Sequence, residues 1–263
     1  MAITSLDGLI AAADQLKSFG KASMTAKAAG TFQSLWTAGG LPTTGIAPVA
    51  TTVVVPTNAT AGALTYVNPT GGALTYMSKW SNTQQTIGTL IIYDRLAHSA
   101  LLNGTLATAQ TVGGTAITRY TTGDDVELFL ECYTATGATQ VNVTCSYTNQ
   151  AGTAGRTSVS TPFWASPVAG QMLPIPLQSG DTGVRSVESV TLSATTGTAG
   201  SFGVTLVKRL GESPVTIAGA GLVQDPFMCG LPQIQDSACL SFMVVTSTTS
   251  TGFLTGTINL SQG

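Results

Sequence analysis

DDVELFLECYTATGATQVNVTCSY, running from Asp124 to Tyr147, is the stretch that decides the fold. Val126, Leu128, Leu130 and Cys132 alternate with Glu127, Phe129, Glu131 and Tyr133, the period of two that marks a strand with one buried face. After Ala135–Ala138 the alternation resumes: Val141, Val143, Cys145 and Tyr147 point one way, Asn142, Thr144 and Ser146 the other. Read as a hairpin reversing at Gly137, the segment has a dry face that a second layer must cover. It carries no chemistry of its own.

Working outward, Gly88–Leu96 (GTLIIYDRL) is apolar almost throughout, as a central strand covered on both faces would be. A second hairpin is expected between Val187–Ala194 and Phe202–Arg209, with Val190 and Leu192 facing Phe202, Val204 and Leu206. A third joins Ala238–Thr246 to Phe253–Leu260. Gln171–Leu177 (QMLPIPL) reads as an edge strand, since its prolines cannot donate to a ladder. Hairpins at regular spacing, joined by Gly- and Thr-rich turns, predict an all-β fold: an antiparallel β-sandwich or jelly-roll-like body over residues 50–263.

The first 49 residues read differently. Leu6, Leu9, Ile10, Ala13, Leu16 and Phe19 recur at helical spacing, which predicts one amphipathic helix over Thr4–Phe19, capped by Thr4 or Ser5 and ended by Gly20. An Ala-, Gly- and Pro-rich extended arm follows, anchored by Phe32, Leu35 and Trp36. A lone apolar stripe packs either on its own sandwich or in a groove of a neighbouring subunit. On the second option Leu6, Leu9, Ile10, Leu16, Phe19, Phe32 and Trp36 are the interaction residues. Deleting residues 2–20 is then expected to leave the β-body folded.

Composition narrows the function classes. Charged residues are only 8% of 263, against about 25% in ordinary domains. A net charge of −2 gives little repulsion between copies, so an isolated monomer is not expected. The 10 basic residues are scattered, which argues against nucleic acid as a partner. No apolar run is long enough to span a membrane, and no positive charge precedes one at the N-terminus, so no secretory signal is expected.

Reactive constellations are thin. Asp94, the single histidine His98, and Ser99 invite a triad reading, but no G-x-S-x-G elbow presents a nucleophile. Asp124, Asp125 and Glu127, with Asp181, form the densest acidic set, without the spacing of a calcium loop. No cofactor or metal is expected. Cys132 and Cys145 read as buried small hydrophobes or a cross-strand pair, and Cys229 and Cys239 as a candidate disulfide. A glycan-binding sandwich would expose clustered aromatics, whereas Trp36, Trp80 and Trp164 lie far apart in sequence.

Several stretches carry a family resemblance. MAITSLDGLI with its small-residue arm, TLIIYDRLAHSALLNGT (Thr89–Thr105), ECYTATGATQVNVTCSYTNQAGTAGRT (Glu131–Thr157) and PLQSGDTGVRSVESVTLSATTGTAGSFGVTLVKRL (Pro176–Leu210) resemble structural proteins of tailed-bacteriophage virions. The resemblance implies a particle component without enzymatic activity, assembled in the host cytoplasm. It implies a place on the capsid as a decoration, cement or capsomer-linking protein. Its partners would be the major capsid protein and copies of itself, a trimer being favoured over a dimer. A tail or neck component is the alternative, and a glycan- or receptor-binding sandwich the second.

Overall fold

The computed structural model describes residues 3–263, apart from the side chain of Asp14. It opens with α1 (Leu6–Ala11), β1 (Ala13–Lys21), β2 (Phe32–Ser34) and β3 (Gly40–Leu41). The middle of the chain forms β4 (Thr75–Gln84), β5 (Gly88–His98), β6 (Gln110–Thr111), β7 (Val126–Thr134), β8 (Asn142–Asn149), β9 (Arg156–Thr157), β10 (Thr161–Pro162) and β11 (Gln171–Pro174). The last part forms β12 (Val184–Leu192), β13 (Ser201–Val215), β14 (Gly221–Gln224), α2 (Pro226–Cys229), β15 (Gln233–Ile234), β16 (Leu240–Thr246) and β17 (Leu254–Gln262). The fold is all-β and its strand pairs are antiparallel, as the alternation predicts.

Three sheets share the strands. A closed barrel runs β11-β2-β16-β5-β13-β7. A front sheet in the order β14-β4-β17-β1-β3, with β15 also on β4, packs on one side of it. A back sheet in the order β10-β8-β12-β6, with β9 also on β8, packs on the other. Phe19, Met77, Trp80, Leu254 and Ile258 of the front sheet meet Leu90, Ile92, Leu240, Phe242 and Val244 of the barrel. Val143, Cys145, Tyr147, Val190 and Leu192 of the back sheet meet Leu128, Leu130, Cys132, Phe202, Val204 and Leu206.

Barrel strands are therefore dry on both faces, and β5 shows why its sequence has almost no polar break. Leu90 and Ile92 face the front sheet, Ile91 and Tyr93 the barrel interior, and Leu96 and Ala97 the back sheet. The interior is layered. Ile91, Phe129, Met172, Val207 and Met243 fill one level, with Phe32 at its rim. The next level is polar. Arg95 Nη1 donates to Glu131 Oε2 at 2.7 Å, and the same oxygen accepts from Thr205 Oγ1 at 2.8 Å and Tyr133 OH at 3.2 Å. Both charged side chains are fully buried. Trp36 closes this level: the Arg95 guanidinium lies 4.6 Å from its ring centroid and His98 meets it edge-on at 5.5 Å.

Each expected hairpin is an arch. β7 and β8 are both present, but β7 pairs with β11 and β13 in the barrel while β8 pairs with β9, β10 and β12 in the back sheet. Their dry faces pack on each other across the layers. β12 to β13 and β16 to β17 make the same crossing, so Val190 and Leu192 do face Phe202, Val204 and Leu206, but from another sheet. Gly137 serves close approach more than reversal: a Cβ there would sit 1.7 Å from Thr196 O. β11 is a closing strand of the barrel and not an edge.

The N-terminal expectation is corrected more deeply. The helix ends at Ala11, and residues 13–21 form β1, registered on β17 from Ser261 to Leu254. Residues 13–19, seven residues of the expected helix, gain a strand ladder on β17 instead, and Phe19 stacks on Phe242 at 4.5 Å between centroids. The arm is likewise woven in: β2 pairs with β11 and β16 of the barrel. Cys229 and Cys239 are free thiols, as are Cys132 and Cys145. Burial pushes Cys132, Cys145 and Cys239 up to about 12, which keeps them as thiols at neutral pH.

Removing one member of the barrel pair strands the other in a dry interior. Glu131→Ala is expected to lower unfolding free energy by about 3–5 kcal/mol in urea titration. Arg95→Met combined with Glu131→Leu is expected to cost less than the single change. A loss under about 1 kcal/mol for Glu131→Ala would show that the pair does not fix the interior.

Candidate interaction face

The front sheet buries one face on the barrel and turns the other outward. Register sets what lies there. Ser18, Thr257, Ser81 and Val223 stand in one row across β1, β17, β4 and β14, with Ser81 Oγ and Thr257 Oγ1 sharing a hydrogen bond of 2.7 Å. Leu16, Asn259 and Lys79 form the next row. The floor is thus hydroxyl-rich, with Lys79 the one charged residue in these two rows.

Two short helices wall it. Ser5 caps α1, its Oγ accepting from Gly8 N at 3.0 Å, which fixes Leu9 inward and leaves Leu6 and Ile10 outward. Asp225 caps α2 through Phe227 N and Met228 N, Pro226 starts it and Gly230 ends it in the left-handed region at φ 71°. So tight a turn cannot bury its own Phe227 and Met228, and Phe227 is 80% exposed. A groove of about 460 Å³ lies between the helices, lined by Leu6, Leu9, Tyr76, Pro226, Phe227 and Leu231. A second, of about 360 Å³, runs over Ile10, Ala13, Ser78, Val223 and Asn259. Leu6, Ile10, Leu16, Val223, Phe227 and Met228 are all exposed around these grooves. Apolar side chains gathered this way mark a contact surface more often than scattered ones do.

Of the seven residues expected to interact, Leu6, Ile10 and Leu16 lie on this face. Leu9 supports it from below. Phe19 and Trp36 are core residues, and Phe32 is half-buried at the barrel rim against Phe129. Val223, Phe227 and Met228 were not foreseen, although the run QDPFMCG carries the Asp-Pro start and Gly stop of a single helical turn.

The acidic groups singled out as candidate reactive residues are, Asp124 apart, engaged in ion pairs. Asp94 takes a two-pronged contact from Arg119 at 2.7 and 2.8 Å and accepts from Cys239 N. His98 lies beside Arg95 instead, and burial, then the Arg95 charge, push it from 6.5 down to about 2. Ser99 Oγ accepts from Val204 N. The three therefore do not assemble. Asp125 pairs with Lys208, Glu127 with Arg209 and Asp181 with Arg156. No group of three or more acidic, His or Cys side chains placed to hold a metal occurs among the described residues. No helix among them is long and apolar enough to cross a membrane. Trp36, Trp80 and Trp164 are all buried, so none offers a stacking platform to a glycan.

No protein-family model matches the chain, and no curated protein matches it. Weak structural similarity runs to viral capsid proteins. The infectious bursal disease virus Gx strain structure shares 9% identity over 94% of this chain and 80% of that one, with a TM-score of 0.19. The infectious bursal disease virus VP2 subviral particle shares 9% over 94% and 80%, at 0.18. The human polyomavirus 6 VP1 pentamer shares 11% over 95% and 94%, at 0.13. Scores this low establish no shared fold.

Because β1 is integral and α1 is not, truncation separates them. Removing residues 2–11 is expected to keep a cooperative thermal melt and the strand signature in far-ultraviolet circular dichroism. Removing residues 2–20 is expected to abolish both. A folded body without residues 2–20 would contradict the placement of β1.

Proposed function

We propose that this chain is a non-enzymatic structural subunit of a tailed-bacteriophage particle, seated on the capsid as a decoration or cement protein. The outer face of the front sheet is its contact surface. The reading is carried by one observation: six large apolar side chains, from α1, β1, β14 and α2, stand exposed around two adjoining grooves on a sheet face of few charges. Cement proteins act by burying area between neighbours, and such a face supplies apolar anchors within a polar rim. The resemblance of several of its stretches to phage virion proteins supports a particle role. Capsid protein would fill the grooves, and association would need no cofactor.

Ile10→Asp together with Phe227→Asp changes two exposed side chains and is expected to leave the melt unchanged. Binding to shells stripped of this chain is expected to weaken at least about tenfold in co-sedimentation, the loss that follows when apolar anchors are charged. Val159→Asp, on a strand connection of the back sheet, is expected to bind normally. Equal binding by the front-face variant would refute the reading. Binding to isolated tails but not to shells would move the protein to the tail or neck.

A further inference from the structure

β1 has one partnered side and one open side. β17 pairs with it from Ala13 to Lys21, whereas β3 joins the opposite side only at Gly20 and Lys21. Among the described residues no backbone group bonds to that side of Ala13–Phe19. Open edges recruit strands unless charge, proline or a bulge blunts them. Here the bulge lies at Ala13/Gln15, away from the centre, no proline is present, and the two charged residues of the stretch, Asp14 and Lys17, have opposite sign. The middle residue of the free stretch is Leu16, with 63% of its surface exposed.

We infer that two copies of this chain pair antiparallel along the free edge of β1, with Leu16 on the two-fold axis. The register follows from the ends. α1 bounds the free stretch on one side and β3 on the other, so a two-fold that uses all of it sets Leu16 opposite Leu16. Gln15 then faces Lys17 of the second copy, and no like charges oppose each other along Gln15–Lys17. Sliding one way sets Lys17 against Lys17, which repels. Sliding the other way sets Gln15 against Gln15, whose amide already holds the Val67 backbone through both its donor and its acceptor. A slip by a single residue would turn the faces over.

Flanking chemistry favours the same partner. The pairing brings the α1 end of one copy, with Leu6 and Ile10 exposed, to the β3 end of the other, where Leu41 is exposed. A net charge of −2 per chain opposes the approach only weakly. The axis is a two-fold, in place of the trimer that the family resemblance implies. Antiparallel partners in one continuous sheet keep their faces aligned, so both outer front-sheet faces look the same way. On the capsid reading given above, one dimer would dock through two faces, each raising the effective concentration of the other.

Purified protein tests this without any shell, so failure here leaves the capsid reading standing. Leu16→Cys is expected to give a disulfide-linked dimer on mild oxidation, because opposed strand residues lie about 4.5–5.5 Å apart between Cα atoms. Ser18→Cys is expected not to, since its two copies would lie about 13 Å apart along the strands. Leu16→Asp, which sets like charges face to face at the axis, is expected to shift light-scattering mass from dimer to monomer while keeping the native melt. A monomeric or trimeric wild type, equal crosslinking of both cysteine variants, or a dimer that survives Leu16→Asp would each overturn the inference.

Discussion

The ion pair of Arg95 with Glu131 inside the barrel is the constraint on which the rest of the structure turns. Two charges there give up their hydration, and only a fixed geometry restores part of it. Thr205 and Tyr133 supply further donors to the same carboxylate oxygen, and Trp36 covers the guanidinium. Glu131 Oε1 and Arg95 Nε are buried without partners, so the pair acts as a register lock more than as a source of stability. β5 and β7 must align for it to form, and β13 and β2 must bring Thr205 and Ser34 alongside.

A locked barrel settles what the flanking sheets can do. With its interior filled by its own side chains, its outer surface can only be covered, and the front and back sheets cover it. Each flanking sheet spends one face on the barrel and keeps one free. The front sheet fills its free face with Ser, Thr and Asn, then interrupts it with two helical turns that hold Ile10 and Phe227 out of any core. The exposed apolar side chains of this face thus stand on a sheet that is itself packed on the barrel.

Much of this was legible in the chain. Alternation located β7, β8, β12 and β13 and one dry face of each, the apolar run located β5, and β16 and β17 came from the third expected hairpin. Phe129 and Glu131, read on the polar side of β7, are buried inside the barrel. Pairing was not legible. Leu128 and Val143 obey the same period whether their strands share a sheet or oppose each other across a core, and a Gly- and Thr-rich turn reports reversal only. The N-terminal error has the opposite origin. Leu9, Ile10, Leu16 and Phe19 fit a helical stripe, yet Gln15, Lys17 and Phe19 also alternate, and a nine-residue ladder on β17 decided between them. The face itself was half visible: Leu6, Ile10 and Leu16 came from the stripe, whereas Phe227 and Met228 are exposed because a four-residue helix has no inner side large enough to hide them.

Hydrogen exchange on the protein, free and bound to stripped shells, tests the central claim most directly. Amides of residues 5–19 and 221–230 are predicted to slow on binding, while those of the back-sheet loops at 150–156 and 178–183 keep their free-state rates. Protection confined to the back-sheet loops, with the front face exchanging as it does in the free protein, would contradict the account.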